Sequence, residues 1–220
     1  MIEDVQIRKN KTHSIDRKHP WIFSGAIASD VAHLKDGDLV NVRDHKNNTI
    51  AKGHFQHATI SVRILTFSDE DIDQSFFDRK IGNAIQSRRK QQLFREDNNI
   101  CRLVHGEGDG LPGLIIDFYN GVAVIQCHSI GMYASIELIT NALKAWLKKE
   151  LIAVYSKSSD TLPERIESED KYLYGTCKTP HTSKENGVKI NIDWITGQKT
   201  GFFIDQRENR FLLAKYAKGK

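Results

Sequence analysis

The segment Arg17-Lys18-His19-Pro20-Trp21-Ile22-Phe23-Ser24-Gly25 sets two cations and a histidine directly before a rigid proline and two large aromatic rings. A surface that grips phosphate and stacks bases needs these residue types close together. The competing use for the rings is a hydrophobic core. The reading divides the segment: Trp21 and Phe23 go mostly to the core of a small barrel, while Arg17, Lys18 and His19 are the leading nucleic-acid contacts. Arg8, Lys9, Lys11 and Arg43 are secondary candidates, because single surface cations are as often simply solvated.

Three other patterns suggest chemistry and lose it on inspection. Gly108-Asp109-Gly110-Leu111-Pro112-Gly113 satisfies the G-x-G-x-x-G pattern of dinucleotide loops. Such a loop must open a helix whose amides face the anion, whereas Leu114 to Tyr119 reads as a strand and Pro112 has no amide hydrogen to offer. A glycine-shaped turn between strands is expected. Six of the nine histidines lie at or before His57. His54 and His57, three apart in an extended segment, face opposite sides and have no evident third ligand, so no metal site is expected. Cys101, Cys127 and Cys177 are odd in number and include no C-x-x-C pair, which argues against a disulfide framework and a zinc ribbon.

The chain has 220 residues, a formal charge of +4, 39% hydrophobic and 27% charged residues. That length holds one large or two small domains with cores of their own. The charge favours a polyanionic partner only weakly. No apolar run approaches a membrane span, and Met1 to Ile7 lacks the features of a secretory signal, so a cytoplasmic protein is expected.

Turn residues at Asp36-Gly37 and Lys46-Asn47-Asn48, with period-two alternation from Ala58 to Ile64, predict a small β-barrel over 1–72. Apolar residues at helical spacing predict a linker helix leaving the barrel between Gln74 and Arg95, with Arg88, Arg89 and Lys90 either on a solvated face or touching phosphate. Strands over Arg102–His105, Leu114–Tyr119, Val122–Gln126 and Ala153–Tyr155, a short candidate at Tyr172–Tyr174 and one helix bearing Ile136, Leu143 and Leu147 predict a two-layer α/β unit over 73–178. In 179–220, Glu185-Asn186-Gly187 turns a hairpin, and Asp205 with Glu208 forms a capping box for a helix with Leu212, Leu213 and Tyr216 on its apolar face. The class is α+β.

Three stretches carry a resemblance. Lys18-His19-Pro20-Trp21-Ile22-Phe23-Ser24-Gly25-Ala26-Ile27, with Lys35 to Val40 and Ile50 to Gly53, resembles the PUA domain that opens a bacterial family of large-subunit ribosomal RNA cytosine-5 methyltransferases. Arg102 to Asp117 and Gly197 to Arg210 continue the likeness, which spans essentially the whole chain. The resemblance implies a PUA-like RNA-binding barrel, then a small EEHEE-type α/β domain, then the hairpin and helix that begin a Rossmann-like methyltransferase domain. It implies S-adenosylmethionine as cofactor and ribosomal RNA as partner; a homodimer is left open by the sequence. Gln198, Lys199, Thr200, Gly201, Phe202, Phe203, Asp205 and Arg207 would stand beside the cofactor pocket.

In that family a glycine loop and the nucleophilic cysteine follow this helix, beyond the position of Lys220. None of Cys101, Cys127 or Cys177 matches the nucleophile. A thiolate must add to cytosine C6 before C5 can accept a methyl group. The resemblance therefore implies no catalytic residue in this sequence, little cofactor affinity and no activity for the isolated chain. A free-standing RNA-binding module is the alternative, and Gly197 to Arg210 argues against it.

Overall fold

The computed structural model describes residues 2–217. Its first unit is a five-stranded sheet built from β1 (Glu3–Gln6), β2 (Trp21–Phe23), β3 (Leu39–Arg43), β4 (Thr49–Phe55) and β5 (Ile60–Thr66), with the one-turn helix α1 (His13–Asp16) between β1 and β2. The strand order is β1-β3-β4-β5-β2, with β1 parallel to β3 and the other pairs antiparallel. Asp44 caps the β3–β4 turn by accepting from the amides of Lys46 and Asn48, while Asn47 takes the left-handed conformation at φ 68°. An antiparallel bridge between Ile7 and Ile27 ties the end of β1 to the chain after β2 and closes the sheet on itself. Strand alternation then points Val40, Val42, Ala51, Phe55, Val62 and Ile64 inward.

The same alternation overturns the expected placement of the aromatics. Along this three-residue strand the central side chain faces opposite to the outer two, and it is Ile22 that points inward, at 2% exposure. Trp21 is half-buried and Phe23 is 46% exposed, so both rings line the outer face of β2.

The second unit contains α2 (Gln74–Lys90), β6 (Ile100–His105), β7 (Leu114–Tyr119), β8 (Val122–Cys127), α3 (Ile130–Ala134), α4 (Ile136–Leu147), β9 (Ala153–Ser156) and β10 (Lys171–Tyr174). The sheet order is β10-β9-β8-β7-β6, and only β8 and β9 are parallel, joined by the α3–α4 crossover. Asp73 starts α2 by accepting from the Phe76 amide at 3.1 Å.

That helix does not leave the barrel as a bare linker. Phe77, Ile81, Ala84 and Ile85 share a core with Ile139, Ala142, Leu143 and Leu147 of α4, because an apolar helical stripe must be covered. A Cβ on Gly82 would lie 2.2 Å from the Trp146 indole, so glycine permits the close approach of the two helices. Two helices, not one, therefore cover this face. Three strands, not the two of an EEHEE unit, precede the crossover. The basic cluster at the end of α2 is largely paired: Arg88 grips Asp109 through 2.5 and 2.7 Å bonds, and Arg89 reaches Glu150 at 2.8 Å.

A hairpin of β11 (His181–Glu185) and β12 (Val188–Ile192) follows, turning at Asn186 and Gly187, both at positive φ. Ile192 and Trp194 bury against Ile100, Tyr119, Val122, Val124 and Tyr155 on the sheet face opposite the helices. The two-layer expectation thus gains a third layer, and β8 is buried on both faces. The last helix, α5 (Arg207–Tyr216), has Gln206 at its N-cap with no side-chain cap bond, so the Asp205–Glu208 capping box does not form. A 3-10 turn over Ile204–Gln206 enters the helix instead. Leu212, Leu213 and Tyr216 are 49–74% exposed, because no element among the described residues covers that stripe. Lys220 lies outside the described residues.

Candidate functional site

The outer face of β2 is assembled by local geometry. Lys18 takes φ 56° where α1 ends, its amide bonded to the Ile15 carbonyl at 2.7 Å. The turn brings His19 back so that its Nδ1 accepts the Trp21 amide at 3.2 Å. The rings of His19, Trp21 and Phe23 follow one another edge to face, with centroid separations of 5.5 and 6.4 Å. Trp21 donates its indole N–H to Glu107 Oε1 at 2.8 Å, across to the 3-10 turn Gly106–Asp109 of the second unit.

Arg17, Lys18 and His19 are exposed around this row, and so are Lys9 and Lys11. Among the described residues, no ion pair uses Lys9, Lys11, Arg17 or Lys18. Arg8 and Arg43 differ, because both are bonded within the barrel. Arg8 Nε donates to the Ile27 carbonyl at 3.1 Å, and Arg43 lies 2.6 Å from Asp4. Beside Lys18, a cleft of about 360 Å³ runs between the units, lined by Pro20, Thr66, Lys80, Glu107 and Gly110. Burial lowers the Lys80 ammonium below its ordinary value, with help from Arg79, against the opposing pull of Glu70. Glu107 and Lys80 were not legible as site residues, since their proximity to the barrel depends on how the two units dock.

The segment after β12 is held very differently. Alternation along β7 sends Leu114, Ile116 and Phe118 to the helices and Asp117 and Tyr119 to the other face. Arg102 stands opposite Asp117 in register and grips it with two bonds of 2.9 and 3.0 Å. Thr200 donates to the same carboxylate at 2.6 Å and lies 2.8 Å from the Tyr119 hydroxyl. Burial, reinforced by the Asp117 charge, pushes the Tyr119 phenol above its ordinary range and keeps it a donor.

Lys157 clamps the entry to this segment through the carbonyls of Trp194, at 2.7 Å, and Gly197. Arg207 bonds Glu185 and the Ile100 carbonyl, while Arg210 makes 2.7 and 2.9 Å bonds to Glu185 and stacks 4.4 Å from the Phe202 ring centroid. Burial alone would raise the Glu185 carboxyl, but the bonds from Arg210 and Arg207 outweigh it and leave the group below its ordinary value.

Of the residues that the resemblance set beside a cofactor, Thr200, Phe202 and Arg207 hold the segment to the sheet. Gln198, Lys199, Phe203 and Asp205 are exposed, with Lys199 Nζ 5.3 Å from the Phe203 ring. Gly201 supplies a positive φ of 107° between these groups. Asp117 was detectable in principle, as the lone carboxylate within the apolar run Leu114-Ile115-Ile116-Asp117-Phe118-Tyr119.

The remaining patterns resolve as packing. His54 is buried against Gly131, where a Cβ would lie 2.2 Å from the imidazole, and burial lowers its pKa to about 4. His57 instead turns its Nε2 to the Leu34 carbonyl at 2.8 Å, away from any shared ligand. Leu114–Tyr119 is a strand, so Gly108–Gly113 is a turn between β6 and β7. Burial pushes the Cys101 and Cys127 thiols up to about 12, which leaves them protonated in the core. Among the described residues no helix is long and apolar enough to cross a membrane.

This closed sheet belongs to a known class: residues 5–67 match the family of PUA-like domains. The whole chain is also similar to proteins named "Ribosomal RNA large subunit methyltransferase I". It is 38% identical to the one from Pseudoalteromonas atlantica, covering 100% of this chain and 56% of that protein. Identity is 36% with the Alteromonas mediterranea protein, over 99% of this chain and 55% of the relative, and 34% with that of Vibrio cholerae, over 100% and 56%. The chain thus spans about half the length of the curated relatives it matches.

Among solved structures, a Streptococcus mutans protein provisionally described as a SAM-dependent methyltransferase superposes with a TM-score of 0.79 at 18% identity, covering 99% of this chain and 55% of that one. A second structure, of a provisionally described methyltransferase in complex with SAH, gives 0.77 at 18%, covering 96% and 52%. The fold of this chain is therefore shared with roughly half of each of those molecules.

Proposed function

We propose that this chain is the RNA-docking part of an S-adenosylmethionine-dependent methyltransferase acting on cytosine C5 of large-subunit ribosomal RNA. The observation that carries the reading is the end-to-end similarity to the ribosomal RNA methyltransferases, joined to a PUA-like barrel whose outer face presents Arg17, Lys18 and His19 without carboxylate partners among the described residues. The cations neutralise phosphate, and Lys9 and Lys11 extend the same charge along the barrel. Arg8 and Arg43, already bonded, shape the barrel more than they bind.

In this reading the second unit supports one side of a cofactor pocket. Gln198, Lys199, Phe203 and Asp205 form its exposed wall, while Thr200, Gly201, Phe202 and Arg207 set the course of the backbone. When bound, S-adenosylmethionine supplies an electrophilic methyl group. The nucleophilic thiolate that cytosine chemistry needs is assigned to the portion of the relatives that this chain does not span, because Cys101 and Cys127 lie protonated in the core and burial raises Cys177 as well.

The test is binding of the full chain to large-subunit ribosomal RNA over a salt series, with Arg17→Ala/Lys18→Ala alongside. Affinity should fall with salt, and the double variant should bind more weakly with a shallower slope. Unchanged affinity and slope would remove the barrel as the docking site. Calorimetric titration with S-adenosylmethionine should give little or no heat, because one wall offers few contacts.

A further inference from the structure

The aromatic row on β2 gives the docking face a preference that its charge does not. We infer that this face takes an unpaired stretch of RNA, whose bases stack on Phe23 and Trp21 while the backbone passes Lys18 into the cleft between the two units. The inference rests on the proposed RNA-docking role and narrows its partner to single-stranded RNA.

Geometry comes first. Strand β2 pairs with β5 on one side only, and its two rings share one outer face with the His19 imidazole at the end of the row. Phe23 is 46% exposed at the end of the row, so a base can reach its ring face. The Trp21 ring is held in place by its bond to Glu107, so stacking on it orders little that is not already ordered. A fixed indole with an exposed ring beside it can receive bases that have left a helical stack, whereas a duplex keeps its base faces covered.

Charge then sets the direction of the strand. Lys18 lies next to the row and lines the cleft that Lys80 enters from α2, with the Lys80 ammonium 2.8 Å from where a Cβ of Gly110 would stand. Backbone phosphates running past Phe23 and Trp21 therefore meet Lys18 and then Lys80 at the junction of the units. Glu107 keeps its negative charge, because the indole that bonds it is neutral, so the phosphates follow the Lys18 and Lys80 side of the cleft while Arg63 offsets the carboxylate.

The experiment measures fluorescence anisotropy of the full chain with a labelled, unstructured pyrimidine-rich oligoribonucleotide and with a duplex of the same length. The single strand should bind more tightly. Phe23→Ala should weaken it roughly tenfold, a typical loss for one stacked base, and leave the duplex unaffected. Phe23→Leu, which keeps apolar bulk without a π face, should behave as Phe23→Ala does. Because Phe23 is exposed, melting of both variants should match the parent protein, which separates a binding defect from misfolding. Equal affinity for duplex and single strand, or Phe23 variants that bind normally, would overturn the stacking inference while leaving cation-based docking intact. Binding of neither RNA would overturn both.

Discussion

The β2 face and the segment from Trp194 to Arg210 are both rich in cations and aromatic rings, yet most cations of the first are unpaired while the arginines of the second are bonded. On β2, Arg17, Lys18 and Phe23 meet solvent, and only Trp21 is tied down. In the second region Thr200, Arg207 and Arg210 are bonded to Asp117 and Glu185, and Lys157 clamps its backbone carbonyls from outside. Residue type states what chemistry a side chain can do. Whether that capacity is available depends on what the fold has already bonded it to.

Breaking the second region should have the largest effect. Asp117→Ala leaves Arg102 and Thr200 without their shared acceptor inside the molecule, and urea unfolding should show a loss of roughly 4 kcal/mol. Limited proteolysis should speed up between Gly197 and Phe203, while RNA affinity changes little. Retained protection there would show that Lys157, Arg207 and Arg210 fix the segment without Asp117.

Acid should act next, at the junction of the two units. His54 has a folded pKa of about 4 against an ordinary 6.5, so it is neutral in the fold and the unfolded chain binds the extra proton. Stability is therefore complete above about pH 6.5 and declines as pH falls towards 4, by at most about 3 kcal/mol from this group. His54→Phe, which keeps a ring against Gly131 and cannot titrate, should flatten that part of a melting-against-pH curve. An unchanged curve would assign the acid sensitivity elsewhere.

Gly131→Ala probes the same junction sterically. Its Cβ would meet the His54 imidazole, and overpacking of this kind costs about 2 kcal/mol by thermal or urea unfolding. Smallest of all should be the effect of Arg17→Ala/Lys18→Ala on stability, less than about 0.5 kcal/mol, because these exposed side chains hold nothing in place. A larger loss would mean that the β2 face is as bonded as the C-terminal region, and the contrast between them would fail.

Much of this was readable before any coordinates. Period-two alternation gave β5, short apolar runs bounded by turn residues gave β3 and β6 to β9, and the strand after Gly113 excluded a dinucleotide loop. A linker helix became half of a helical layer because the covering partner of α2 is α4, 64 residues along the chain where Gln74 Nε2 donates to the Leu138 carbonyl. The capping box at Asp205 failed because a 3-10 turn leads into α5 there. Trp21 and Phe23 were assigned inward because large aromatics usually are, yet the two share one face of β2 and the register of the barrel turns the opposite face, with Ile22, to the core.

The sequence by itself determined the alternation, the turns and the chemical types present at Arg17 to Phe23 and Gly197 to Arg210, because these follow from local sterics and periodicity. Tertiary structure alone decided which of those side chains stay available. The partners that bind them, Glu107 for Trp21, Asp117 for Thr200 and Glu185 for Arg207, lie on other elements, and a hydrogen bond depends on distance in space rather than on separation along the chain.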